Sequence, residues 1–424
     1  TELADLLAKI GEDKPRVIGF DMVFAEPDRL SPEQLAVDFA AKPYLVNLLA
    51  GIPANDSVFA QMISKYPVVL GQNGTGVGFY DLDKSPLARK WNITVRGNLS
   101  TRKFNDLGSL VRNIPVLENA ASGLGVFSLV FGKYDKDQLI RKVPLIMRRG
   151  AEGEVLYPSL VAEMLRVGQR DQNYFVKQDP KTGEMESVKI GAYVIPTDGS
   201  ANMHVYFGAS RRAQYISAAK VLDGTLSNGY FKNKYVLIGT SAIGLRDIRS
   251  TPLHLTIPGV EIHAQAIENV LETSYLMRPH YAVWLELLFV FLLGAFMITF
   301  IPRFGSALTL LLFMLIAGGS LYASYYAFIQ YRYLIDASYP ILASFVIFLV
   351  LVYEKYVKEE AERQNVKFAF SRYLSPEVIE NVLKDPQQLT LGGETKELTF
   401  LFCDVRGFTN IAERLKDCPQ ELTR

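Results

Sequence analysis

The chain has 424 residues, which is enough for two or three domains, and its formal net charge is +1. Such a balanced charge gives no electrostatic reason to expect nucleic acid or an acidic partner. Hydrophobic residues make up 49% of the sequence, which favours the presence of membrane spans. The only cysteines are Cys403 and Cys418, so the rest of the chain cannot contain a disulfide framework.

Residues 1–280 alternate between strand-like and helix-like segments, which predicts an α/β domain. Apolar runs bounded by turn residues predict strands at 16–24, 67–71, 188–196, 203–208 and 235–241. Amphipathic spacing predicts helices at 31–49, 157–168 and 259–272.

Two of these helices carry more detailed predictions. The helix over 31–49 should begin with Ser31 as its cap and Pro32 in its first turn, with Gln34 closing a capping box. The helix over 259–272 should bury one apolar face, made of Val260, Ala264, Ile267 and Leu271.

Asp21, Asp247 and His263 are the candidate binding residues of this domain. Asp21 ends a strand segment within the predicted strand over 16–24, Asp247 lies in a glycine-containing loop, and His263 lies on a predicted helix. A single helical His is usually structural, and a loop Asp usually bonds its own turn. We therefore interpret all three as structural residues, and no Cys/His spacing indicates a metal site.

Three stretches resemble the second class of CHASE-type sensors, the cyclase/histidine-kinase-associated sensory extracellular domains. They are RVIGFDMVFAEPDRLSPE, DKDQLIRKVPLIMRRG and, most distinctively, YVLIGTSAIGLRDIRSTPLHLTIPGVEIHAQAIENVLETSYLMRP. The resemblance implies an extracytoplasmic sensor over 1–280 with an unknown ligand or stimulus, followed by three spans and a cytoplasmic output domain. Members of that family also have a span before the sensor. Because this sequence opens without a signal peptide, we expect such a span to precede Thr1.

Three apolar runs at 281–301, 306–329 and 334–353 are each close to the length of a helical membrane span. The connections between the runs are short, so we expect a compact antiparallel three-helix bundle over 281–353. Glu286 lies near the start of the first run and Asp336 near the start of the third. We expect Glu286 to reach out to the membrane interface, with a role in coupling as the alternative.

The charges beside the spans predict their orientation. Arg303, Lys355 and Lys358 would share one side of the membrane, and Arg278 and Arg332 the other. Together with the preceding span that the resemblance implies, this places the sensor outside and the output domain inside. The expected location is the plasma (inner) membrane of a bacterium.

Residues 354–393 are predicted to form a helical linker. Near its start, a set of residues spaced 4, 4, 3 and 4 apart fits either a two-helix seam or a solvated helix, namely Tyr353, Val357, Ala361, Gln364 and Phe368. A second short helix should begin at Ser375 and Pro376 and end at Asp385.

The segment 394–424 carries the most chemically suggestive pattern. ELTFLFCDV (397–405) alternates like a strand and would deliver Asp404 at its carboxyl end. Gly407 follows in a tight turn, and a helix begins at TNIAERL with Asn410 and Glu413 spaced as a capping pair. A carboxylate beside a glycine turn and a helix N-terminus suits a magnesium ion and a polyphosphate. Many α/β domains share this arrangement, so the pattern alone does not identify an activity.

LTFLFCDVRGFTNIAERL resembles the first conserved block of class III nucleotide cyclases, and FSRYLSPEVIENVL resembles their transducer segment. The resemblance implies that 394–424 begins an α/β, ferredoxin-like catalytic domain. It implies that Asp404 and the carbonyl of Val405 bind two divalent ions, Mg²⁺ or Mn²⁺. It also implies that Gly407, Phe408 and Thr409 wrap the triphosphate of ATP. Class III sites form between two such domains, which implies a homodimer.

The expected function is a receptor-type adenylate cyclase that makes cyclic AMP and pyrophosphate under the control of an external sensor. The second metal-binding Asp and the transition-state residues of that family lie downstream of its first block. We therefore assign no catalytic residue here and expect these 424 residues alone to make no cyclic nucleotide.

Two other functions stay open. One is a membrane sensor with a degenerate output domain that acts in binding or as a scaffold. The other is a transport protein with an α/β cap, for which Glu286 and Asp336 offer few intramembrane polar groups. A histidine-kinase output is disfavoured because FLFCDVRGFT has no place in a kinase.

Overall fold

The structure is a computed structural model of the chain. It describes residues 1–40, 42–75, 90–97, 104–129, 137, 139–149, 155–241, 247–279, 281–300, 303, 306–370, 397 and 399–416. Its α-helices are α1 Glu2–Glu12, α2 Pro32–Asp38, α3 Pro43–Leu49, α4 Asn55–Lys65, α5 Pro115–Ala120, α6 Leu160–Gly168, α7 Ala218–Leu222, α8 Gly259–Leu271, α9 Ala282–Phe300, α10 Ser306–Tyr331, α11 Ser338–Phe370 and α12 Phe408–Arg414.

The strands are β1 Val17–Phe20, β2 Val68–Thr75, β3 Asn92–Arg96, β4 Asn105–Leu107, β5 Ser109–Val111, β6 Gly123–Val126, β7 Lys142–Pro144, β8 Ile146–Arg149, β9 Val155–Pro158, β10 Asn173–Gln178, β11 Met185–Ile190, β12 Tyr193–Pro196, β13 Asn202–His204, β14 Tyr235–Ile238, β15 Ile248–Arg249 and β16 Ile257–Pro258. The five predicted strand regions of the first domain all contain strands, although most are shorter than predicted.

A central sheet organises the first domain. Its parallel strands lie side by side in the order β14, β1, β2, β6, and β5 pairs antiparallel with the far end of β2. Every residue of β1 and of β6 is buried, as expected of parallel strands that are covered on both faces. Helix α6 packs on β1, β2 and β6, and α8 packs on α6 and β14. The α/β prediction is confirmed.

A second sheet, in the order β12, β11, β10, β3, joins the same hydrophobic core. Its β11–β12 hairpin turns at Gly191, within the stretch that was predicted as one strand over 188–196. Along β10 the buried residues alternate with more exposed ones, so one face of this sheet is buried and the other is not.

Two helices, α2 and α3, replace the single helix predicted over 31–49. The break falls just before Pro43, because a residue that precedes proline disfavours helical backbone, and Lys42 has φ −125° and ψ 82°. The predicted capping box was also wrong. Ser31 is the N-cap of α2, but its hydroxyl accepts a hydrogen bond from the backbone N–H of Asn55 (2.8 Å) instead.

Helix α8 begins at the predicted residue, but only Ile267 of its predicted apolar face is buried. Val260 and Ala264 are half-buried, and Leu271 is exposed. The other buried side chains are Glu261, Ile262, His263, Gln265, Ala266, Asn269 and Val270. Because α8 packs against α6, β14 and β16 together, more than one face of the helix is covered.

Three helices, α9, α10 and α11, are long and apolar enough to cross a membrane, which confirms the three predicted spans. Helix α11 begins at Ser338 rather than at the predicted residue 334, because Leu334 is held in an extended segment by a hydrogen bond to Met277. Helix α11 then continues without interruption for 33 residues to Phe370. The third span and the start of the predicted linker are therefore one helix.

The chain divides into two compact units, Thr1–Leu349 and Val350–Arg424. In the second unit, the strand predicted over 397–405 is not present among its described residues, 397 and 399–405. A strand needs a hydrogen-bonded neighbour, and no other described segment pairs with this one. The predicted transducer helix at Ser375 and the glycine turn at 392–393 lie outside the described residues.

Candidate functional site

The central sheet changes its winding direction between β1 and β14. The chain passes from β1 to β2 to β6 in one direction, and then returns to place β14 on the other side of β1. In open α/β sheets, ligands bind outside the carboxyl ends of the strands at such a switch point. Gly239 follows β14 here, and a Cβ atom at this position would lie 2.7 Å from Val260 of α8. The strand end and α8 therefore approach each other closely.

Asp21 and His263 meet at this switch point. Asp21 directly follows β1, and His263 lies one turn into α8. The Oδ1 atom of Asp21 is 3.8 Å from Nε2 of His263, and each side chain is only 2% exposed. The Oδ2 atom of Asp21 and the Nδ1 atom of His263 have no hydrogen-bond partner among the described residues. The sequence did not predict this contact between two residues interpreted separately as structural.

Asp247 joins the cluster from the other side of α8. Its backbone carbonyl accepts a hydrogen bond from the N–H of Gly259 (3.0 Å), which fixes it beside the first residue of that helix. Its carboxylate pairs with Arg249 (Oδ1 to Nε, 3.4 Å) and is partly exposed. Asp247 thus does more than bond its own turn, because its charge acts on both Asp21 and His263.

Burial shifts the pKa values of Asp21 and His263 in opposite directions. Loss of hydration, reinforced by the charge of Asp247 and opposed by Arg249, raises the pKa of Asp21 from 3.8 to about 7. Burial also lowers the pKa of His263 from 6.5 to about 4, against the attraction of Asp247. Both side chains are therefore uncharged in mildly acidic solution. Asp21 alone changes its charge near neutral pH.

Within the described part of the chain, no three side chains of His, Cys, Asp or Glu lie close enough together to hold a metal ion. The cluster instead places a buried acid and a buried base at the point where β1, β14 and α8 meet.

Glu286 does not reach out to the membrane interface as predicted. Its side chain is 6% exposed and accepts a hydrogen bond from Nη2 of Arg278 (3.0 Å). Its second oxygen accepts from the backbone N–H of Asp336 (2.9 Å). A carboxylate with a charged partner and an N–H donor can remain buried at this depth, which is why it need not seek water. In the sequence, Arg278 served only to predict the orientation of the spans. Because Pro279 lies between Arg278 and Glu286, no helical spacing indicates that their side chains meet.

The residues of the C-terminal motif are all exposed. Asp404 and Val405 lie in a segment without regular structure, and the carbonyl of Val405 accepts a hydrogen bond from the N–H of Phe408 (3.0 Å). Gly407 is the N-cap of α12 in a left-handed conformation with φ +83°, which confirms the predicted tight turn. Asn410 lies inside α12 and not at its start, so the predicted capping pair with Glu413 was wrong. Thr409 is exposed in the first turn of α12.

Comparison with known proteins gives one match. No curated protein and no solved structure matches the chain. The model of the CHASE2 domain matches residues 1–301, which extend from α1 to the end of α9. With three helices able to cross a membrane, this domain indicates a membrane-bound signalling receptor. The chain belongs to the CHASE2 domain family.

Proposed function

We propose that the chain is the receptor part of a membrane nucleotide cyclase that converts ATP to cyclic AMP and pyrophosphate. The observation that carries the proposal is the continuity of α11. This helix begins in the third candidate span and continues into the charged sequence EKYVKEEAERQ without a break. A single helix therefore includes both the third candidate span and the charged sequence that precedes the cyclase-like motif along the chain.

The motif supports the cyclase assignment through the chemistry of its residues. Asp404 and the carbonyl of Val405 offer the hard oxygen ligands that Mg²⁺ and Mn²⁺ prefer, and both residues are exposed to solvent. When bound, the two ions would activate the ribose 3′-hydroxyl and stabilise charge on the departing pyrophosphate. In this proposal Asp404 and Val405 hold the metal, while Gly407, Phe408 and Thr409 surround the triphosphate.

The proposed receptor is a homodimer with its CHASE2 domain outside the cell and its cyclase domain in the cytoplasm. The outer domain responds to a ligand or stimulus that binds two dimer geometries unequally, which is the requirement for any population shift. Arg303, in the first connection, and Lys355 and Lys358, in the part of α11 beyond the third apolar run, are basic residues of the kind that favour the cytoplasmic side.

Cyclic nucleotide production by membranes that contain the intact gene product tests this proposal. ATP and GTP would each be supplied with Mg²⁺ and with Mn²⁺. We expect cyclic AMP from ATP. Asp404→Ala should reduce the rate on the order of 100-fold or more, as removal of one group that stabilises transition-state charge does. Glu413→Gln, an exposed acidic residue on α12, is the matched control and should leave the rate unchanged.

The other outcomes are informative. Cyclic GMP from GTP would correct the substrate. No product under any of the four conditions would contradict the cyclase and favour a sensor with a non-catalytic output domain. An active Asp404→Ala variant would show that the motif is misassigned.

A further inference from the structure

The segment between α8 and α9 lies between the CHASE2 core and the candidate spans, and it pairs with both. On one side, the N–H of Leu276 donates to the carbonyl of His204 at the end of β13 (3.3 Å). On the other side, the N–H of Met277 donates to the carbonyl of Arg332 (2.9 Å). The N–H of Leu334 donates a hydrogen bond to the carbonyl of Met277 (2.8 Å). Leu276 and Met277 therefore form one isolated β-bridge each, to the core and to the turn between α10 and α11, and we refer to residues 276–278 as the short strand.

Glu286 and Arg278 fasten this short strand to the same turn. Both oxygens of Glu286 are used, one by Arg278 and the other by the N–H of Asp336. The Nη1 atom of Arg278 also donates to the carbonyl of Leu334 (3.2 Å). The pair thus joins the start of α9, the short strand and the start of α11 in one network.

Aromatic contacts extend the network to α8. The guanidinium of Arg332 lies 3.9 Å from the ring centre of Tyr206, and Phe328 of α10 lies 5.8 Å from the same ring. The backbone of Tyr206 is held by Asn269 of α8 through two hydrogen bonds (2.6 Å and 3.1 Å). Helix α8 also carries His263, so the switch-point cluster and the α10–α11 turn are connected through direct contacts.

We propose that Glu286 and Arg278 form a clasp that couples movement of the CHASE2 core to the start of α11. A buried carboxylate with two donors holds one defined arrangement, because breaking either contact leaves one of its buried oxygens without a donor. The clasp makes the α10–α11 turn follow the short strand, and α11 carries that displacement along its length. The proposal rests on the proposed receptor function only for its signalling role. The physical coupling is a property of this chain.

Hydrogen–deuterium exchange on the full chain in lipid nanodiscs tests the clasp. Glu286→Ala should speed exchange of the Asp336, Leu334 and Met277 amides on the order of tenfold, the effect of losing a charge-assisted hydrogen bond. The amides of β1 and β2 should keep their protection, which verifies that the variant is folded. Glu359→Ala, an exposed acid on α11, is the matched control and should change none of these amides. Unchanged protection of all three amides in folded Glu286→Ala would overturn the clasp.

Glu286→Gln is the second variant, in case the alanine variant does not fold. In Glu286 each oxygen accepts from a different donor, and in Gln one of these oxygens becomes an NH₂ group, so one of the two contacts is lost in the same arrangement. We expect exchange rates between those of the wild type and those of Glu286→Ala. Wild-type protection throughout the turn in Glu286→Gln would contradict the proposal.

A double-mutant cycle tests the coupling itself. Asn269→Ala releases Tyr206 from α8 and should speed exchange at Leu334 and Asp336 in the wild-type background. In the Glu286→Ala background the same substitution should add little, because the turn no longer follows the core. Additive effects would overturn the coupling. The measurement does not depend on cyclic nucleotide formation, so failure of the cyclase proposal and failure of the clasp are distinguishable.

Discussion

Asp21 and Asp404 are two carboxylates that the sequence places in the same way, each at the end of a predicted strand. In the structure they differ in every other respect. Asp21 follows a real strand, is buried, and meets His263 and the charge of Asp247. Asp404 is exposed in a segment without a strand.

The difference shows that the environment of a carboxylate is supplied by other parts of the chain. The pKa of Asp21 is raised by burial under α8 and by Asp247, which lie far from it in sequence. Asp404 is exposed, and no described residue far from it in sequence buries its carboxylate. Buried charge at the switch point should therefore govern stability, and exposed charge in the motif should govern activity.

The largest predicted effect comes from placing a second acid beside Asp21. His263→Asp should lower the free energy of unfolding by about 3 kcal/mol or more at pH 8, because it buries two carboxyl groups without a cation between them. Thr409→Asp on exposed α12 should change it by about 0.5 kcal/mol at most. Thermal unfolding of the detergent-solubilised chain, followed by circular dichroism, measures both. Equal effects of the two substitutions would remove the contrast between the regions.

A smaller effect concerns pH. In the folded state the raised pKa of Asp21 means that its contribution to stability is lost as the pH rises from about 4 to about 7. The lowered pKa of His263 means that its contribution is lost as the pH falls from 6.5 to about 4. The two slopes oppose each other across that shared window. In the wild type, Asp21 and His263, with Asp247 and Arg249 beside them, should therefore make the free energy of unfolding depend little on pH between pH 4 and 6.5.

Single substitutions should reveal each slope. Asp21→Asn leaves His263, so stability should rise with pH across this window by about 2 kcal/mol in total. His263→Gln leaves Asp21, so stability should fall with rising pH by a similar amount. In the double variant, the free energy of unfolding should again not change with pH across this window. Unfolding curves recorded in a series of buffers measure these slopes, and parallel slopes for both single variants would show that the two groups do not titrate as described.

The smallest predicted effect comes from an exposed ion pair within the CHASE2 domain itself. Lys177 of β10 contacts Glu186 of β11 (2.5 Å), with the lysine side chain 68% exposed. Lys177→Ala should cost about 0.5 kcal/mol or less, since solvent screens such pairs. A loss as large as that of His263→Asp would show that exposure does not set the effect. Unfolding of the wild type and of Lys177→Ala, recorded at low and at high salt, would measure the contribution of this ion pair.

The sequence predicted the features that depend on local patterns. The three spans follow from long apolar runs, and their observed starts differ from the predicted ones by no more than a few residues. Pro43, the first residue of α3, was visible in the sequence, yet the amphipathic pattern on both sides of it was interpreted as one helix. The predicted strand at 397–405 failed because alternation of apolar residues indicates a strand only where a partner strand is available.

The candidate sites could not be predicted from local patterns. The contact between Asp21 and His263 depends on the return of β14 to the side of β1, which no spacing in the sequence encodes. The partners of Glu286 come from a bend around Pro279 and from the backbone of a turn. The residue type does not reveal which backbone N–H groups will act as donors. The sequence therefore does not distinguish a buried Glu286 from one at the membrane interface.

The unbroken helix α11 has a geometric consequence. Its 33 residues correspond to a rod of about 50 Å, which exceeds the bilayer hydrocarbon thickness of about 30 Å. A rod of this kind resists compression and bending much more than it resists rotation about its own axis. Neighbouring side chains differ by about 100° around that axis, so a modest turn of the helix presents a different stripe of residues to whatever packs against it. In the receptor proposed above, a signal carried along α11 would therefore take the form of a rotation angle.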